Sequence, residues 1–354
     1  MKIRLAIIDQ SLGKQADGTT TYSETLALTV SKNSNVSHVE LVGKNIKDYD
    51  GRYTAVRKNS VYYALSKLFR CDVDIMHWNY IPYSPFTILF VLLCRLRGIR
   101  QIVTIHGDLP WTEPQYAPLI RRIFEPVLYP FYARIFSSLI VPSKNTAKNI
   151  SRALLVDIKK IHIVYNPIHD DFLRQTENRL SIDNTGSHGY FLIVANNDKK
   201  KNVETVISAY KKYIENGGKY LLKIAGKGYI DCNIQGIESL GSVNRHQLIN
   251  LYANAVAILH PSVHETFGYP VIEGLALGKP VFACDKYAIN EVACGEAYLT
   301  DECKSIDKWI SILKKIDSID IQSDNENNAL TRISVAKQYS SCKFRDKMLE
   351  IYSE

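Results

Sequence analysis

No stretch of this sequence carries enough consecutive apolar residues to cross a bilayer. The longest run, FTILFVLLC at 86–94, falls far short of the roughly 20 residues that a spanning helix needs. No CxxC pair occurs, and the seven cysteines (Cys71, Cys94, Cys232, Cys284, Cys294, Cys303 and Cys342) are odd in number. A disulfide framework or a zinc site is therefore not expected, and a reducing compartment fits best. The amino terminus, MKIRLAIIDQSLG, loses its apolar character at Asp9 and is read as a first strand rather than a leader peptide. There is no repeat of solenoid period and no low-complexity tract. No GxGxxG follows the first strand, and GKG at 226–228 is too short to be a nucleotide fingerprint.

What is present suits a globular chain. Hydrophobic residues make up 46% and charged residues 23% of 354 positions, enough for a packed interior and long enough for two domains. The formal net charge of +8 favours anionic partners such as nucleotides, phosphates or anionic lipid, without choosing among them.

Short apolar, β-branched runs alternate with longer amphipathic ones. IRLAII, HVELVG, VDIMHWN, RQIVTIHG, SLIVPS and IHIVYN form one series; GYFLIVAN, YLLKIAGKG, IESLGSV, AVAILHPS and KPVFACD form another. Runs without polar alternation are what a parallel sheet covered on both faces requires. Two series predict two doubly wound α/β domains. The polar stretch 165–189, with a proline and two glycines, is read as the linker, and the residues from about Asp324 onward as helical.

One turn carries chemistry. AVAILHPS brings a strand to Ser262, HETFG follows as the loop at its carboxyl end, and a helix is expected over about 270–277, with Pro270 at its start and Gly278 then Pro280 as stop signals. Ligands of open α/β sheets bind at that edge, and a helix start there favours phosphate. Gly268 lets a backbone approach a ligand closely. Glu265 and Glu273, eight positions apart, supply acceptors for hydroxyl groups. A glutamate in a first turn is also ordinary helix-end chemistry in any protein.

The stretch PSVHETFGYPVIEGLALGKPV resembles the E-x7-E signature of the retaining glycosyltransferases of family 4, also called glycosyl transferases group 1, which have the GT-B fold. Gly274 stands where the family usually has alanine. LGSVNRHQLINLYANAVAILHPS before the signature and INEVACGEAYL after it resemble the family's flanking segments, as do VTIHGD and VPSKNTAKNI in the first half.

The resemblance implies two Rossmann-like domains facing across a cleft. Residues 1–168 would bind the acceptor and 169–330 the nucleotide-sugar; 331–354 would form a helix packing back on the first domain. By position, Glu273 matches the glutamate that holds ribose hydroxyls, and Glu265 the one near the transferred sugar. Phe267, Gly268 and Tyr269 would offer backbone amides, and Lys201 would neutralise the diphosphate. His106 matches the histidine that faces the donor sugar, and Gly18 lies in the loop after the first strand. Asn196 stands where the family commonly has arginine, so the diphosphate would lean on Lys201 with help from Lys199 or Lys200. No DxD-type carboxylate pair is recognised, and the family is generally metal-independent; no metal and no cofactor are expected.

The function implied is retaining transfer of a sugar from a nucleotide-sugar to a saccharide or lipid-linked saccharide, in surface polysaccharide or lipopolysaccharide synthesis, in the cytoplasm or peripherally at the inner face of the cell membrane. Between Arg95 and Lys148 lie eight Arg or Lys and three acids, interleaved with aromatic residues, a pattern that suits an anionic membrane surface. Two other readings stand beside this one: a GT-B nucleotide-sugar epimerase or hydrolase, and a non-catalytic GT-B subunit that binds a partner transferase. Nucleic acid is not an expected partner, because no recognition module is present.

Overall fold

The apolar runs of the first half become parallel strands buried on both faces, as their lack of polar alternation requires. The computed structural model describes residues 2–9, 18–43, 51–70, 72–81, 84–178, 189–229, 234–318 and 326–354. The first sheet contains β1 (Ile3–Ile8), β2 (Val36–Gly43), β3 (Thr54–Arg57), β4 (Ile75–Trp78), β5 (Arg100–Thr104), β6 (Ser138–Val141) and β7 (Ile161–Ile163). Its order is β3-β2-β1-β4-β5-β6-β7, all parallel. β3 was not expected: TAVR is a short, largely unburied edge strand, so no apolar run betrays it.

Alternate residues of each strand feed two core layers. Leu5 and Ile7 pack with Leu26 of the Gly18–Val30 helix on one face; Ala6 and Ile8 pack with Val91 and Phe136 on the other.

The second sheet contains β8 (Tyr190–Val194), β9 (Leu221–Ala225), β10 (Ile237–Gly241), β11 (Ala257–His260), β12 (Val281–Cys284) and β13 (Tyr298–Thr300). Its order is β10-β9-β8-β11-β12-β13, again all parallel. The three-residue β13 also escapes pattern reading.

The chain folds as two compact units. One takes Met1–Pro167 together with Ser341–Glu354; the other takes Ile168–Ser340. The region expected to be one terminal helix is therefore two. The Glu326–Lys337 helix stays with the second unit, where Arg332 donates to the Gly278 carbonyl at 3.0 Å. The Ser341–Ser353 helix puts Phe344, Met348, Ile351 and Tyr352 into a core layer of the first unit. The expected linker also differs: residues Asp170–Asn178 are helical, anchored by buried Phe172, while 179–188 lie outside the described residues.

In each sheet the winding reverses beside the first strand of the unit, at β1/β4 and at β8/β11. In open α/β sheets such a reversal is where ligands bind.

Candidate active site

In the second unit the loops after β8 and β11 flank the reversal. Lys199–Lys201 form a single 3-10 turn, with Asp198 capping it by accepting from the Lys200 amide at 3.1 Å. Val263 N–H donates to the Lys200 carbonyl at 2.8 Å, tying the two loops together. Asn202, in the left-handed region, donates to the carbonyls of Pro261 and Cys303 at 3.2 and 2.7 Å. The lysine turn is thereby fixed against the signature loop.

That fixation brings Lys201 onto Glu265, whose carboxylate accepts a hydrogen bond from the lysine ammonium. His260, buried at the end of β11, lies with Nε2 3.3 Å from the same carboxylate oxygen. Burial alone would raise the Glu265 carboxyl, but Lys201 and His260 outweigh it and hold the group well below the usual carboxylate range. The cluster thus favours the ionised form of Glu265.

The other glutamate has the opposite environment. Gly268, at φ +92°, caps the Tyr269–Ala276 helix, and a Cβ there would sit 2.5 Å from Ile289 Cδ1. Glu273 follows in this helix, and its Oε2 accepts from the Tyr252 hydroxyl at 2.8 Å. Burial pushes its carboxyl up to about 7, against the opposing pull of Tyr252 and Arg245. The departure at Gly274 has a local cause: a Cβ would lie 2.9 Å from Ile258 and 3.0 Å from Val281, so β-branched residues on β11 and β12 occupy the space.

Of the other expected donor residues, Phe267 is buried edge-on to Tyr269 and Tyr339, which leaves its backbone as the available part. Asn196 is exposed and braces a neighbouring loop: its Oδ1 accepts from Lys227 N–H and its carbonyl from the Tyr229 hydroxyl, both at 3.0 Å. Gly226, at φ +153°, passes so close that a Cβ would lie 1.8 Å from the Ala195 carbonyl oxygen.

His106 follows β5 in the first unit. Its Nε2 lies 2.6 Å from Asn79 Oδ1, while Asn79 Nδ2 donates to Asp9 Oδ2 at 2.8 Å. Ser23 also donates to Asp9 Oδ2, at 2.7 Å. Because the Asn79 amide nitrogen is committed to Asp9, its oxygen faces His106, and Nε2 must carry the proton. The imidazole is oriented further by the Tyr22 ring, edge-on at 4.8 Å. Gly18 opens the Gly18–Val30 helix, and the preceding loop, 10–17, lies outside the described residues.

Sequence reading missed His260, Tyr252, Asp9 and Asn79. His260 alone had a signal, standing directly before the PS of the signature; the others come from distant elements. The expectation that no DxD spacing is present is corrected: two occur, both far from the signature. Asp48–Asp50 lies outside the described residues, whereas Asp72 pairs with Lys67 at 2.8 Å and Asp74 with Arg4 at 2.6 Å. Among the described residues no group of three or more His, Cys, Asp or Glu could hold a metal ion.

Two all-parallel sheets of this topology are the two Rossmann-like halves of a GT-B fold. Two family descriptions match almost end to end: Glycosyltransferase Family 4 over residues 10–172 and Glycosyl transferases group 1 over 175–329. The chain belongs to the GT-B glycosyltransferases. It is 25% identical over 246 residues to the O-antigen chain mannosyltransferase RfbU of Salmonella typhimurium, a match covering 66% of this chain and 65% of that protein. The fold is similar to sucrose-phosphate synthase from Thermosynechococcus elongatus, with TM-score 0.79, 14% identity, and 99% and 98% of the two chains covered. It is also similar to Anabaena HepE in complex with UDP and glucose, with TM-score 0.71, 12% identity, and 99% and 100% covered. At these identities the solved structures speak to the fold alone.

Proposed function

We propose that this chain is a retaining glycosyltransferase that moves a sugar from a nucleotide-sugar to a saccharide or lipid-linked saccharide, in surface polysaccharide or lipopolysaccharide synthesis. The observation that carries this reading is the Lys201–Glu265–His260 cluster at the reversal point of the second sheet, beside the Gly268-capped helix start. Similarity to an O-antigen mannosyltransferase supports the pathway, and similarity to a fold that holds UDP and glucose supports the donor class.

Charge decides what this arrangement can do. Glycosyl transfer develops positive charge on the sugar and negative charge on the departing diphosphate. Lys201 and the amino end of the Tyr269–Ala276 helix place positive potential where the diphosphate would leave. Glu265, held ionised, would favour the electron-poor sugar. Glu273, once ionised, would accept hydrogen bonds from the ribose hydroxyls. The acceptor attacks from the face that the diphosphate leaves, so that the acceptor oxygen bonds to the anomeric carbon as its proton passes to the leaving phosphate. No metal and no cofactor enter this scheme. The acceptor's lipid carrier would place the protein in the cytoplasm, peripherally at the inner face of the cell membrane.

A thermal-shift screen against UDP-, GDP-, dTDP- and CMP-sugars, with NAD as control, tests the donor site. Stabilisation by one nucleotide class is expected. Equal shifts with NAD, or none with any nucleotide-sugar, would refute the donor site.

A further inference from the structure

The Leu119–Ile135 helix presents the wrong side to its own unit. Its outward stripe is Ile120, Ile123, Phe124, Val127 and Phe131, with Phe131 67% exposed. Its inward stripe is Glu125, Tyr129 and Ala133, with Glu125 1% exposed. The buried carboxylate is tolerated because Arg121 pairs with it at 2.6 Å, and Tyr129 donates to the Ile81 carbonyl at 3.0 Å. A helix facing water keeps its apolar stripe inside; this one carries an apolar stripe outward over three turns, with Arg122 and Arg134 exposed on the same helix. The Pro85–Leu96 helix packs beside it and adds Phe86, Leu89 and Leu96 to the outward surface. Contiguous apolar exposure on this scale marks a surface that meets another apolar phase.

The charges around it say which phase. Arg95, Arg134 and Lys160 converge at the carboxyl end of the Leu119–Ile135 helix. Arg95 reaches the Arg134 carbonyl at 3.1 Å and Lys160 the Ala133 carbonyl at 2.7 Å. None of the three pairs with a carboxylate among the described residues. The positive potential is therefore left uncompensated, and burial together with Arg95 and Arg134 lowers Lys160 to about 8. At the same edge Arg97 lines an open hollow with Lys2, Arg4 and Arg100, against the single carboxylate of Asp74. Apolar side chains flanked by unneutralised cations match a surface with acyl chains below and anionic headgroups above.

We infer that the outward face of the Pro85–Leu96 and Leu119–Ile135 helices docks on an anionic lipid bilayer, with the apolar stripe inserted at headgroup depth and the flanking cations on the phosphates. This rests on the peripheral-membrane part of the proposed function and assigns that contact to one surface. Among the described residues no helix is long and apolar enough to cross a membrane, so the contact is interfacial.

Flotation of the full chain tests this, with phosphatidylcholine vesicles compared against phosphatidylglycerol vesicles. Binding to phosphatidylglycerol at low salt is expected, weakening as salt screens the headgroups. The triple variant Ile123→Ser, Val127→Ser, Phe131→Ser should lose at least about tenfold in partitioning, as should Arg97→Gln with Arg134→Gln. Unchanged thermal midpoints would show both variants folded. Failure of the intact chain to bind either vesicle overturns the inference and the membrane reading together. Binding that both variants retain overturns this surface and leaves the membrane reading standing. Self-association that the triple variant abolishes, without vesicle binding, assigns the face to a second copy and overturns the proposal. Nucleotide-sugar binding on the same samples reports separately on the transferase reading.

Discussion

Glu265 and Glu273 are the same residue type on one short segment, yet their surroundings drive them apart. Lys201 and His260 keep the first ionised, while burial, against the pull of Tyr252 and Arg245, holds the second up to about 7. If Glu273 accepts ribose hydroxyls, its protonated form is the weaker acceptor. Nucleoside diphosphate affinity should therefore rise as pH increases through about 7, and Glu273→Gln should remove that part of the dependence relative to the intact chain; calorimetric titration across this range checks it. Lys201→Ala removes the cation proposed to meet the leaving diphosphate, so kcat should fall by about 10²–10³-fold in a donor-turnover assay, the scale of losing one preorganised electrostatic contact. The signature made Glu265, Glu273 and Lys201 legible from sequence, because they lie on one loop or in register with it. Tyr252 and His260 were not, because their influence depends on which strands and helices come together.

At the scale of elements, the candidate residues sit on loops and on the ends of strands and helices, and specific close contacts hold those loops. Gly226 is one: any side chain at this position strikes the Ala195 carbonyl. Gly226→Ala should destabilise the second unit by about 2–4 kcal/mol in denaturant unfolding. The Ser341–Ser353 helix is a second case. Met348 is fully buried with Phe344 and Ile351 in a core layer of the first unit. Met348→Ala should cost that unit about 2–5 kcal/mol while leaving nucleotide affinity unaltered. Strand runs such as YFLIV and AILH were legible because burial on both faces demands continuous apolar sequence. β3 and β13 were not, being too short or too exposed to leave that mark.

At the scale of the whole molecule, two units with separate cores need not respond to a ligand alike. The proposed donor-phosphate cluster lies in the second unit. In scanning calorimetry a bound nucleoside diphosphate should raise the transition of that unit first, by an amount that grows with the logarithm of ligand concentration. A shift confined to the first unit would locate the nucleotide elsewhere.

The sequence by itself determined the parallel sheets and the strand-turn-helix that carries Glu265 and Glu273. Both are local: apolar continuity marks strands buried on two faces, and Gly268 with Pro270 marks a tight turn into a helix. Tertiary structure decided the rest. The Ser341–Ser353 helix, the last among the described residues, completes the core of the first unit, and Asp9 and Asn79, each just past the end of a different strand, orient His106. The Leu119–Ile135 helix is the plainest case. Its periodicity gives one apolar face and one mixed face, but periodicity alone does not say which side the core lies on. Only packing, with Glu125 and Tyr129 turned inward, shows that the apolar face is the one presented to the surroundings.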